Sequence, residues 1–289
     1  MSNKNDNNST KHRLGVVAIS YNEERDLESF ISHLLPWVDE IVIIDDGSSD
    51  RTAEIAATGM PTKVKFIPSP RNEGEFFSHQ RNKGIAVSSC DWLLHMDIDE
   101  RVTPELAKEI MTAVRDESKV AYRFRRLNYF LHRPMHGGGW QDWNLVHLAK
   151  SNILRFSGMY HEKCIIDTPP ENIGQLKEKM WHLNDESYKE RMGKSFLYCQ
   201  EQAAILTENG TQIRWWHLLL MPLKEFIAKL VKKRGYRDGT LGLLFALHAA
   251  CAMFRAYALV WDEQNRLDRS DIENELRDLW SHSGNNSIN

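Results

Sequence analysis

Four short apolar runs punctuate the first hundred residues, and a polar cluster lies beyond each of them. LGVVAIS (Leu14 to Ser20) precedes Tyr21 to Glu23, and EIVII (Glu40 to Ile44) runs into Asp45 to Ser48. Val64 to Ile67 leads to Arg71 to Gly74, and Trp92 to Met96 ends on Asp97 to Glu100. Between the runs the spacing is helical, as at Leu27, Phe30, Ile31, Leu34 and Leu35. Asn22 is placed to cap that helix and Pro36 to end it. Ser49 or Asp50 can cap a second helix near Arg51, a third is expected over Ser78 to Val87, and Thr103 before Pro104 opens a fourth. Apolar strands alternating with amphipathic helices make a parallel sheet covered on both faces. Such sheets take ligands beyond the carboxyl ends of their strands, where all four polar clusters fall.

The pattern changes at Ala121. AYRFRRLNYFL and HLAKSNILRF read as strands of a mixed sheet that completes the first one, separated by the loop Gly137-Gly138-Gly139. From Tyr188 to about Trp280 the chain reads as helical. The expected organisation is a disordered polar lead-in over 1–12, a catalytic α/β domain over 13–187, a helical region over 188–281 and a disordered tail over 282–289. The lead-in has no apolar core of the kind a signal peptide carries. The four cysteines are far apart in sequence with no CxxC pair, which speaks against a zinc knuckle and for a reducing compartment. A net charge of −3 offers no basic field for nucleic acid.

Several clusters carry chemistry. Asp97 and Asp99 at a strand end can share a hard cation, Mg²⁺ or Mn²⁺, with phosphate oxygens; a solvated acidic turn before a helix is the plain alternative. Asp45 and Asp46 exceed what a helix cap needs, and a carboxylate there can accept from a base edge or from ribose hydroxyls. Gly74 permits close backbone approach to a ligand. Arg81, in Gln80-Arg81-Asn82, could pair with phosphate or simply face solvent.

The series ISYNEE, IVIIDDGSSDRT, NEG…QRNKG and HMDIDERVTPEL resembles the family 2 glycosyltransferases of the GT-A fold. The resemblance implies a Rossmann-like, mostly parallel sheet flanked by helices, with the C-terminal helices as an extension. It implies that Tyr21, Glu23 and Asp46 lie along the nucleoside of a nucleotide-sugar, with Asp46 the base-contacting acid and Arg81 close by. Asp97 and Asp99 would be the metal and diphosphate motif, with Ile98, bulkier than the usual small residue, pointing away. RPMHGGGWQDWNLVHLAKSNILRFSGMYHEK is similar to a subgroup that includes lipopolysaccharide-core glucosyltransferases. From that likeness Gly138, Gly139 and Trp140 form an acceptor-side loop, and Glu162 is the general base of an inverting transfer. Glu100 orients the Asp97 and Asp99 site, reaches the acceptor side, or leads into the helix after Thr103. His182 in KMWHLND, after a short strand, is either a metal or diphosphate ligand, as in many members of the fold, or a buried hydrogen-bonded histidine.

Later, RWWHLLLMPLKEFIAKL is followed by Lys232, Lys233, Arg234 and Arg237, and then by LGLLFALHAACAMFRAYALVW from Leu241 to Trp261. His248 and Arg255 argue against a spanning helix, since a charge near a bilayer centre costs about 2.5–3.5 kcal/mol on insertion scales. A helix lying at the membrane surface is expected, with helices closing the core or a homo-oligomer contact as the competing readings. The expected partners are a nucleotide-sugar, most simply a UDP-sugar, and a lipid-linked glycan or lipopolysaccharide acceptor at the inner face of the cytoplasmic membrane. Transfer to a polyprenyl phosphate is the alternative within the chemistry, and a non-catalytic nucleotide-sugar-binding protein is the alternative outside it.

Overall fold

The structure is a computed structural model, and it describes residues 12–58, 60–158 and 163–283. The lead-in before residue 12, the tail beyond 283 and Glu162 lie outside the described residues. The chain divides into two compact units, one ending at Glu186 and the other beginning at Ser187.

The first unit opens with β1 (Leu14–Ser20), α1 (Leu27–Leu34), β2 (Glu40–Asp45), α2 (Thr52–Ala57), β3 (Val64–Pro68), α3 (Phe77–Val87) and β4 (Trp92–Asp97). The two-residue β5 (Glu100–Arg101) and α4 (Pro104–Ala113) follow, then β6 (Ala121–Phe130), β7 (Arg133–Met135), β8 (Asn144–Lys150), β9 (Leu154–Ser157), β10 (Lys163–Ile166) and β11 (Ile173–Leu183). The main sheet runs β3-β2-β1-β4-β8-β6-β11-β5, with β7 paired to β6. Its first four strands are parallel. β8 enters antiparallel between β4 and β6, and β11 lies parallel to β6. HLAKSNILRF therefore splits, because β9 leaves the main sheet to pair with β10.

Strand alternation feeds two cores. Val16, Ala18, Ile41, Ile43, Leu94 and Met96 pack with α1 and α4, while Val17, Val42, Ile44 and Leu93 face α3 and β9 on the other side. The chain leaves β1 for β2 and returns to β4 on β1's other flank. The order thus reverses at β1 and β4, opening a crevice beyond their carboxyl ends.

Local chemistry explains most boundaries. Thr103 Oγ1 accepts from Leu106 N–H with Pro104 in the first turn of α4. Asn22 does not cap α1. Its φ is +59°, and its side-chain oxygen accepts from Ser49 N–H (2.7 Å) and Asp50 N–H (3.3 Å), so it holds the loop before α2, and α1 starts only at Leu27. The short strand expected before His182 is instead the eleven-residue β11, with His182 inside it.

The second unit contains α5 (Tyr188–Glu208), α6 (Trp215–Ile227), a π-helical turn (Ala228–Lys232), α7 (Gly239–Asn265) and α8 (Arg269–Ser283). Leu206, Ile213 and Val260 form its small core, with Leu218 and Tyr257 against it. α7 is long and apolar enough to cross a bilayer by composition alone. Two of its polar side chains, His248 and Arg255, nevertheless bond to α5. Tyr188 Oη lies 3.1 Å from His248 Nδ1, and Arg255 donates to Ser195 Oγ at 2.9 Å.

Candidate active site

The crevice is lined from β1, β2, β4 and the strands that close the sheet. On the β2 side the two acids divide their tasks. Asp45 accepts from Ser20 Oγ (2.8 Å), Ser48 Oγ (2.6 Å) and Ser48 N–H (3.0 Å), and so fixes the turn after β2. Asp46 is buried and accepts from Gln80 Nε2 (2.7 Å) and Arg71 Nε (2.6 Å). Tyr21 stands exposed at the end of β1. Glu23 is half-buried, and burial followed by the charges of Asp99, Asp26 and Asp97 pushes its carboxyl up to about 7.

The motif after β4 is a compact electrostatic knot. Ile98 is buried in the first core, so Asp97 and Asp99 both face the rim. Asp97 Oδ1 accepts from Arg81 at 2.6 Å, and Arg126 reaches Oδ2 at 3.5 Å. Burial alone would raise the Asp97 carboxyl, but the two guanidinium groups hold it far below the ordinary carboxylate range. Glu100 is wholly buried. Its Oε2 accepts from Asp97 N–H at 2.9 Å, and its Oε1 lies 2.6 Å from Arg126 Nε, close enough for an ion pair but not aligned as a hydrogen bond. Burial pushes this carboxyl up to about 7 despite Arg126. Glu100 therefore does not reach an acceptor. It closes the turn and braces Arg126.

Asp99 stands differently. Its Oδ2 lies 3.1 Å from His182 Nε2, while its Oδ1 is buried with no hydrogen-bond partner. On the far side of the imidazole, Nδ1 lies 2.9 Å from Asn128 Oδ1, which also accepts from Asn184 Nδ2 at 3.0 Å. Burial disfavours the charged imidazole, but the bond to Asp99 and the nearby acids raise its pKa overall. The backbone reinforces the pairing, because Glu100 and His182 are register partners across β5 and β11, and Leu183 N–H donates to Asp99 O at 2.8 Å.

The glycine loop closes this side. Gly138 and Gly139 have φ of +71° and +97°, a region that other residues enter only at a cost. They turn the chain so that Trp140 packs on Phe130 (4.7 Å between rings) and its carbonyl meets Asn128 Nδ2 at 3.4 Å.

A divalent cation can be judged by these donors. Among the described residues no three His, Cys, Asp or Glu side chains gather as a metal-holding group. The pair that fits is Asp99 and His182, a carboxylate with an orphaned oxygen beside an imidazole nitrogen. Two such ligands suffice for an ion that keeps phosphate oxygens and water in its shell. Both oxygens of Asp97 are engaged by arginines.

Arg126 and Asn128 are the residues that motif reading passed over. Their signal was present. In AYRFRRLNYF the alternate positions Phe124, Asn128 and Phe130 are buried, which sets Arg126 on an inward face where an arginine needs an acid.

Residues 15–164 match the family model described as glycosyl transferase family 2. Among curated proteins, the chain is 24% identical over 280 residues to the lipopolysaccharide core biosynthesis glycosyltransferase LpsC of Rhizobium meliloti, covering 91% of this chain and 97% of that one. It is 23% identical over 242 residues to the glycosyltransferase RT0209 of Rickettsia typhi, covering 74% and 78%. Among solved structures, S. aureus TarS 1–349 is similar at 14% identity, with a TM-score of 0.42 and coverage of 89% of this chain and 93% of that one.

Proposed function

Since the chain belongs to glycosyl transferase family 2, we propose that the crevice beyond β1 and β4 is the donor site of an inverting, metal-dependent transfer from a nucleotide-diphospho-sugar, most simply a UDP-sugar. The observation that carries this reading is the division between the two aspartates. Asp99 keeps an orphaned oxygen beside His182, while Asp97 gathers two arginines.

The roles join that division to the family likeness. Tyr21, Glu23 and Asp46 lie along the nucleoside, with Asp46 positioned by Arg71 and Gln80. Arg81 and Arg126 provide fixed positive charge for a diphosphate. Asp97 holds both guanidinium groups in place, and Glu100 braces Arg126 from beneath. Asp99 and His182 would hold Mg²⁺ or Mn²⁺, which when bound offsets charge building on the departing diphosphate. With a cation bound, an imidazole that donates from Nδ1 to Asn128 Oδ1 would turn its Nε2 lone pair to the Asp99 side. Gly138, Gly139 and Trp140 shape the acceptor side. Glu162 accepts the proton of the attacking hydroxyl. The acceptor is a lipid-linked glycan of the lipopolysaccharide core type at the inner face of the cytoplasmic membrane, a class supported by the name of the R. meliloti relative.

The test is a thermal-shift series with nucleotide diphosphates and sugars, with and without Mn²⁺, on the wild type and on Asp99→Ala and Glu162→Gln. UDP or a UDP-sugar is expected to stabilise the wild type more with Mn²⁺ than without, and Asp99→Ala to lose that increment. Glu162→Gln is expected to keep donor binding and lose transfer. A wild type indifferent to every nucleotide-sugar would defeat the donor assignment. Full transfer by Glu162→Gln would remove the base and favour an acceptor that is already anionic, such as a polyprenyl phosphate.

A further inference from the structure

α6 carries two apolar faces, and the unit that contains it covers only one. Leu218 points inward to the core formed by Leu206, Ile213, Tyr257 and Val260. Trp215, Leu219, Leu223 and Ile227 recur every four residues along the other face, and Val231 extends the row into the π-helical turn. Four of these are exposed by half or more, with Trp215 at 70% and Leu219 at 63%. A row of 17 residues is about 25 Å long at 1.5 Å per residue, far more contiguous apolar surface than water tolerates without purpose.

What covers it is indicated by charge. The row ends in a built turn. Arg234 takes a φ of +58°, and a Cβ on Gly242 would overlap the Gly235 carbonyl oxygen, so the start of α7 is locked close against the turn. Lys224, Lys229, Lys232, Lys233, Arg234 and Arg237 flank the row and its end against two acids, Glu225, which pairs with Lys229 at 3.7 Å, and Asp238. We infer that this face of α6 and its basic turn dock in the plane of an anionic lipid leaflet, with the apolar row in the acyl boundary and the cations at the headgroups. Such a surface supplies both an apolar phase and negative charge. A second copy of this chain would bring the same row and the same cations. α8 also exposes an apolar row, Ile272, Leu276 and Leu279, but it carries Asp271, Glu273, Glu275 and Asp278 against Arg269 and Arg277, so its charge does not complement an anionic surface. α7 supports this face rather than spanning, since its His248 and Arg255 bond to α5.

The inference does not rest on the donor or acceptor assignment. The experiment is flotation of the full chain with vesicles of phosphatidylcholine alone and of phosphatidylcholine with phosphatidylglycerol, with mass determination in solution alongside. The wild type is expected to float with the anionic vesicles, to fall off as salt rises, and to ignore the neutral ones. Leu219→Glu with Leu223→Glu is expected to lower binding at least ten-fold while the circular dichroism spectrum is unchanged. Lys232→Gln and Lys233→Gln are expected to weaken it by about five-fold each. Equal binding to both vesicle types, no binding to either, or a wild-type dimer that the double glutamate variant splits would each overturn the assignment. The salt and lipid series on the wild type decides the question even where a variant fails to fold.

Discussion

At the end of β4, three carboxylates and two guanidinium groups are wholly or partly withdrawn from water, whereas along α6 a row of large apolar side chains is left in it. Both regions depart from the usual division of polar outside and apolar inside, and they do so for different reasons. In the first, each charge has an opposite or polar neighbour a few ångströms away that offsets much of the cost of burial, and Glu100 keeps a remainder that shows in its raised carboxyl. In the second no neighbour compensates, and the face is suited to a different solvent. Buried charge is therefore expected to be structurally expensive to disturb, and exposed apolar surface structurally cheap.

The sharpest break of that contrast is Arg126→Ala. It removes the partner of the wholly buried Glu100 and one of the two partners of Asp97, so a loss of about 3–5 kcal/mol is expected in denaturant unfolding. A loss below 1 kcal/mol would mean that the knot is not held by its charges. Asp99→Ala separates function from fold within the same turn. With one oxygen unpartnered it is expected to change stability little, yet to remove the added stabilisation that Mn²⁺ gives a bound nucleotide and most transfer activity, read by thermal shift and by turnover.

The pH dependence of stability sharpens the comparison further. Glu100 and Glu23 have carboxyls raised from an ordinary 4.5 to about 7. A carboxyl raised in the folded state keeps its proton after the unfolded chain has released it. Its stabilising contribution is complete below about pH 4.5 and is gone once the pH passes about 7. Unfolding free energy is thus expected to decline across that window, by about 1–3 kcal/mol from Glu100, and Glu100→Gln is expected to flatten the decline. A wild-type profile rising from pH 5 to 7 would contradict it. The smallest expected effect is Leu223→Glu, an exposed position whose substitution should move unfolding free energy by no more than about 0.5 kcal/mol.

Much of the first unit could be read from the order of residues, since its strands and helices are specified locally. Apolar runs mark β1 to β4, and Thr103 with Pro104 marks α4. The aspartates could be found because they sit at strand ends. What escaped was set by partners distant in sequence. Asn22 looks like a helix cap, but its amide is claimed by a loop 27 residues on. Glu100 looks exposed beside two rim acids, yet it is drawn inward by Arg126 and by the Asp97 amide. The length of β11 depends on β6 and β5 beside it, and a strand with charged residues along its exposed positions gives little periodic signal of its own.

The pairing of β5 with β11 has a consequence in time as well as in space. Asp99 and His182 are 83 residues apart, and the match to the family model ends at residue 164, short of His182. The β1–β2 side of the crevice draws on neighbouring parallel strands and can form as soon as those strands associate. The pairing of Asp99 with His182 has to await the docking of the last strand of the sheet, a contact of high sequence separation and so a slow one. During synthesis, the emerging chain would assemble the parallel-strand side of the crevice before it could bring Asp99 and His182 together.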